Sequence, residues 1–82
     1  MDSVATSIVL NYLYDTLPAA VRHSEFDVFI VWKCKTLQNW KYLISTSLAD
    51  GMYYELTYNG DKEEWYLDAY KKQENRVIRR TD

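Results

Sequence analysis

Apolar residues recur at Val4, Ala5, Ile8, Val9, Tyr12 and Leu13, spacings of three and four that lay one apolar stripe along a helix. Asp2 or Ser3 can cap its start, and Leu17-Pro18 ends it, so the pattern predicts a helix over residues 1–17. That helix is short and holds several β-branched residues, so it must gain its stability by docking on another apolar surface. The period then changes. After a connector from Pro18 to Glu25, the run Phe26 to Cys34 is β-branched and aromatic on both alternating faces, as in a strand in the interior of a sheet. Thr36-Leu37-Gln38-Asn39 is the turn into a second strand, Trp40 to Thr46, and Ala49-Asp50-Gly51 turns the chain again.

Met52 to Tyr70 then reads as a β-hairpin around Asn59-Gly60, because both flanking runs alternate apolar with polar residues. A two-residue loop would set Glu55 opposite Glu64, a like-charge pair, whereas a four-residue loop over 59–62 pairs Leu56 with Trp65, Tyr54 with Leu67 and Met52 with Ala69. The longer loop is the expectation. Both registers keep the same faces, since only an odd slip exchanges inside for outside. Met52, Tyr54, Leu56, Trp65, Leu67 and Ala69 should meet the helix, while Tyr53, Glu55, Thr57, Glu64, Tyr66, Asp68 and Tyr70 look away. The predicted fold is α+β, an N-terminal helix packed on a four-stranded antiparallel β-meander over residues 26–72, with a tail over 73–82. That tail either adds a short edge strand through Arg76-Val77-Ile78 or frays, and the sequence leaves both open.

Eighty-two residues make one domain, and a hydrophobic content of 48% with three tryptophans and eight tyrosines supplies the burial that folding needs. Cys34 is the only cysteine, which fits a reducing compartment, and its setting in an apolar run favours a buried structural thiol over a nucleophile. Met1 to Val4 lacks the basic start of a signal peptide, and no apolar stretch approaches the roughly 20 residues that span a bilayer. The expectation is a cytoplasmic protein without membrane contact.

The formal charge of −2 conceals an asymmetry. Residues 1–70 carry five basic and ten acidic side chains, and residues 71–82 carry five basic and two acidic. An acidic body therefore ends in a basic tail.

No catalytic, metal-binding or nucleotide-binding constellation stands out, so no enzyme activity, metal or cofactor is expected. His23 is the only histidine and has no partner at a metal-ligand spacing, which makes it a solvated loop residue. Glu55, Asp61, Glu63, Glu64 and Asp68 could be imagined as an acid–base pair or a hard-cation site, but neighbours on a strand face opposite ways and no loop gathers their oxygens. Tyr53, Tyr66 and Tyr70 interleaved with Glu55, Glu64 and Asp68 have two readings: cross-strand pairs that stabilise the sheet, or a recognition surface for a protein with a basic face. Lys71, Lys72, Arg76, Arg79 and Arg80 offer an alternative, contact with nucleic-acid phosphates, although the aromatic residues lie on the acidic body. Self-association is a further option, because Phe26, Val28, Ile30 and Trp32, or else Phe29 and Val31, would leave one sheet face apolar.

Through Val31-Trp32-Lys33-Cys34-Lys35-Thr36-Leu37-Gln38-Asn39-Trp40-Lys41, Gly51-Met52-Tyr53-Tyr54-Glu55 and Thr57-Tyr58-Asn59-Gly60-Asp61-Lys62, the chain resembles a family of small phage and prophage proteins of unknown function from Gram-positive bacteria. The resemblance runs from about Phe26 to Asn75 and leaves the helix outside. It carries no functional residue with it. It implies a phage accessory protein in a bacterial host, a class that often blocks a host enzyme or a defence complex such as a CRISPR effector; the alternative, through Lys71, Lys72, Arg76, Arg79 and Arg80, is an accessory nucleic-acid-binding protein of phage replication or packaging. Leu37, Gln38 and Asn39 belong to the shared string, though a turn with a demanding backbone would show the same residues.

Overall fold

The computed structural model describes residues 1–80, in which one long helix lies on an open four-stranded antiparallel sheet of order β1-β2-β3-β4. Helix α1 spans Asp2–Thr16 and buries Ala5, Val9 and Leu13, one residue per turn along the predicted stripe. Ile8 and Tyr12 flank them, half-buried, but Val4 is exposed, so the stripe is narrower than expected. Neither Asp2 nor Ser3 caps the helix. Asp2 lies inside the first turn, where its carboxylate accepts hydrogen bonds from the Tyr42 hydroxyl at 2.8 Å and from Lys33 Nζ at 2.7 Å. The connector holds a short helix, α2 (Ala19–Arg22), that the sequence reading missed: Pro18 precedes it with a backbone suited to opening a helical turn, and Arg22 donates to the Tyr14 carbonyl at 3.0 Å.

The strands are β1 (Val28–Thr36), β2 (Asn39–Thr46), β3 (Met52–Asn59) and β4 (Glu64–Lys71). Beneath the helix, Tyr42 and Ile44 of β2 and Tyr54 and Leu56 of β3 complete the buried core. Complete burial of an aliphatic side chain such as Leu13, Ile44 or Leu56 is worth about 1.5–3 kcal/mol each, which is why a helix of weak propensity stays docked. An aromatic row closes this layer: Trp40 stacks on Tyr42 with centroids 5.8 Å apart, and Trp65 tilts against Tyr58 at 4.9 Å.

Two details of register differ from expectation. Facing pairs in the β3–β4 hairpin are Leu56 with Leu67, Tyr54 with Ala69 and Met52 with Lys71, around a four-residue loop over 60–63 that follows the pair Asn59 and Glu64. Relative to the expected pairing, β4 is displaced by two residues. Avoidance of like charges did not set the register, because Glu55 now faces Asp68; Lys41 offsets that pair with an ion pair to Glu55 at 3.2 Å. The displacement is even, so the faces stand as expected: Trp65 and Leu67 are half-covered on the helix side, and Tyr66 and Asp68 are exposed on the other.

The second departure lies in β1, where the register shifts between Ile30 and Trp32, a bulge at Val31. Val28 and Ile30 pack toward the helix, but beyond the bulge the alternation inverts, so that Lys33 and Lys35 take the helix side while Trp32 and Cys34 join Phe29 on the outer side. Cys34 is therefore exposed rather than buried, opposite Lys41.

Residues 72–80 form neither helix nor strand, and every one of them is exposed, so Arg76-Val77-Ile78 adds no edge strand here; residues 81 and 82 of the predicted tail lie outside the described residues. The radius of gyration, 15.1 Å, exceeds the roughly 12 Å usual for a domain of this length, in keeping with a flat molecule of 47 × 40 × 16 Å. Among the described residues, no helix is long and apolar enough to cross a membrane.

Candidate functional site

The helix covers one face of the sheet, and among the described residues no element covers the other. Four rows of facing residues build that outer face. Phe29, Ser45, Tyr53 and Tyr70 form the first, and Trp32, Leu43, Glu55 and Asp68 the second. Cys34, Lys41, Thr57 and Tyr66 form the third, and Thr36, Asn39, Asn59 and Glu64 close the face beside the turns. Phe29, Trp32, Tyr66 and Tyr70 each remain about half exposed, between 44% and 52%. Isolated apolar residues at a surface are ordinary, but rings from three of four strands on one continuous face are not.

All six residues predicted for a partner surface, Tyr53, Glu55, Glu64, Tyr66, Asp68 and Tyr70, lie on this face. Tyr53 faces Tyr70 directly. The Tyr66 hydroxyl donates to Glu64 Oε2 at 2.5 Å, and that bond, followed by burial and the carboxylate's charge, holds the phenol above its ordinary pKa. The Tyr66 ring thus stands beside the Glu64 carboxylate. A shallow recess of about 380 Å³ lies alongside, walled by Trp32, Cys34, Thr36, Lys41 and Thr57. Phe29, Trp32 and Leu43 were absent from the predicted set. The bulge that brings Phe29 and Trp32 to the same face sits in an unbroken apolar run, with no glycine or proline to announce it.

The basic residues of the alternative set occupy a different place. Lys71 faces Met52 on the helix side, and Lys72, Arg76, Arg79 and Arg80 follow along the exposed segment, where Arg76 pairs with Glu74 at 3.0 Å. Of these cations, Lys71 lies on the helix side of the sheet, opposite to the rings of the outer face. His23 is exposed at the end of α2. Among the described residues, no three His, Cys, Asp or Glu side chains cluster as metal ligands would.

The two turns at one end of the sheet interlock. Gln38 donates a hydrogen bond to Asp61, the Gly60 amide donates to Asn39 Oδ1 at 3.0 Å, and Asn59 Oδ1 accepts from the amides of Asp61 and Lys62. Leu37 sits at the tip with φ 58° and its side chain 82% exposed, at the first of two central positions where glycine is the usual occupant.

A family of unknown function (DUF6275) matches residues 2–80. The chain belongs to that family. The match includes α1, which the string resemblance had left outside. No curated protein and no solved structure matches the chain. Parts of the strings that carry the resemblance, Lys35 to Lys41 and Tyr58 to Lys62, span the two interlocked turns, so turn geometry accounts for Gln38, Asn39, Asn59 and Gly60 without a partner.

Proposed function

We infer that this DUF6275 member is a non-enzymatic binding protein that docks a partner on its outer sheet face. The observation that carries the reading is the gathering of Phe29, Trp32, Tyr53, Tyr66 and Tyr70, with Glu55, Glu64 and Asp68 between them, on one uncovered surface. Rings of this kind give large contact area with few rotors to immobilise, and carboxylates among them select a partner surface rich in Lys or Arg. A protein adapted to hold nucleic acid presents such a surface. Joined to the phage resemblance of its turn strings, this supports an accessory phage protein in the cytoplasm of a bacterial host that blocks a host or defence factor, for example a CRISPR effector.

Affinity capture from host lysate tests the face. The wild-type chain should retain a protein that a Tyr66→Ala/Asp68→Lys variant of unchanged stability loses. Equal recovery of every partner by both would remove this face from the account, and a partner that vanishes on nuclease treatment would favour nucleic-acid contact through the basic segment instead.

A further inference from the structure

The sheet has two edges, and they are not alike. On β1 the bulge at Val31 interrupts the ladder, a common device that keeps an edge from pairing with another chain. On β4 the register runs without a shift from Glu64 to Lys71, and among the described residues no strand lies beside the outward amides and carbonyls of this edge. The chain then continues into the exposed segment 72–80, whose residues 73–80 could extend about 26 Å, the length of β4 itself.

We propose that β4 and the segment after it pair antiparallel with the same stretch of a second copy, about a two-fold axis at Lys72, joining two sheets into one of eight strands. Alternation along the strand restricts where such an axis can lie. The Lys72 amide donates to the Gly51 carbonyl at 2.7 Å, so even-numbered residues direct their backbone groups toward β3 and odd-numbered ones toward the free edge. Two identical strands can pair only if odd residues meet odd residues, which puts the axis on a residue rather than between two.

Side-chain chemistry selects Lys72 among the candidates. With the axis there, Arg76 of one copy faces Asp68 of the other, Arg80 faces Glu64, and Ile78 faces Tyr66, all on the outer side. On the helix side Val77 faces Leu67 and Arg79 faces Trp65, an apolar pair and a cation beside an indole. An axis at Tyr70 keeps two opposite-charge pairs, Lys72 with Asp68 and Arg76 with Glu64, but sets Leu67 against Gln73 and Trp65 against Asn75, and carries Val77 and Ile78 past the end of β4. At Lys71 the axis opposes Glu74 to Asp68, at Gln73 it opposes Ile78 to Asp68, and at Glu74 it opposes Arg76 to Lys72. Only Lys72 satisfies charge and apolar contacts together.

The basic segment thus meets the acidic strand of its neighbour, and each copy gives one arm and receives one. Lys72 meets its own copy at the axis, the one like-charge contact, where two long side chains can splay into solvent. The existing Glu74–Arg76 ion pair is solvent-exposed, so exchanging it costs little.

This inference goes beyond the partner reading, since it concerns the β4 edge and is tested on the purified chain alone. Sedimentation equilibrium over a concentration series should show a monomer–dimer equilibrium that weakens with salt. Arg76→Glu/Arg80→Glu and Glu64→Arg/Asp68→Arg should each raise the dimer dissociation constant about tenfold or more, and combining all four substitutions should restore it. In a Cys34→Ser background, Lys72→Cys should form a disulfide-linked dimer on mild oxidation, because facing Cα atoms in such a pair lie about 4.5 Å apart, within disulfide reach. A monomer at every concentration would overturn the proposal. So would a dimer indifferent to the charge reversals, or one that Lys72→Cys fails to cross-link.

Discussion

Tyr42 ties the helix to the sheet at the scale of a single residue. Its ring is buried, and its hydroxyl reaches the Asp2 carboxylate that Lys33 also holds. Tyr42→Phe keeps the ring and removes the bond, and is expected to lower stability by about 1 kcal/mol in urea denaturation. The pH dependence has a sign at each end. Hydrogen bonds from Lys33 and Tyr42 hold Asp2 below its ordinary value of 3.8, so its contribution is complete above that value and is lost as pH falls through the lowered one. Burial, and then the bond to Asp2, push Tyr42 up to about 12, so its contribution is complete below 10 and is lost as pH rises toward 12. The contribution of this site should therefore be flat between these limits, and Tyr42→Phe should abolish its alkaline loss; an unchanged alkaline limb would contradict the assignment.

At the scale of elements, the interlocked turns fix how β1–β2 and β3–β4 meet. A Cβ on Gly60 would collide with the Gln38 carbonyl oxygen, so Gly60→Ala should cost about 1–3 kcal/mol by prising the turns apart. Leu37→Gly, by contrast, removes an exposed side chain from a left-handed backbone and should not lower the thermal midpoint. The positive φ in the β3–β4 loop belongs to Glu63, whereas Gly60 is needed for close approach. Asn59-Gly60 marked the hairpin correctly in the sequence, but not its register, because the docking of Gly60 on Gln38 is a contact between distant residues. The helix stripe and the two faces of β3 and β4 were legible from period alone. The bulge at Val31 was not: nothing local distinguishes Val31 from its neighbours, and β1 takes its inversion from pairing with β2.

At the scale of the molecule, the described residues form two layers, with a helix on one sheet face and no element on the other. The accessible surface of 6248 Å² exceeds the roughly 5200 Å² usual for a protein of 9.8 kDa, consistent with an uncovered face and with the exposure of residues 72–80. The partner proposal and the dimer proposal meet at Glu64, Tyr66 and Asp68, which lie both on the outer face and along the β4 edge. An eight-stranded dimer would set two outer faces side by side and present a wider surface to one partner.

Hydroxyl-radical footprinting of the dilute, unpartnered chain tests the open face most directly. Phe29, Trp32, Tyr66 and Tyr70 should oxidise readily while Tyr42 and Tyr54 stay protected. Oxidation of Tyr42 or Tyr54 as fast as Tyr66 would contradict the arrangement on which the binding account stands.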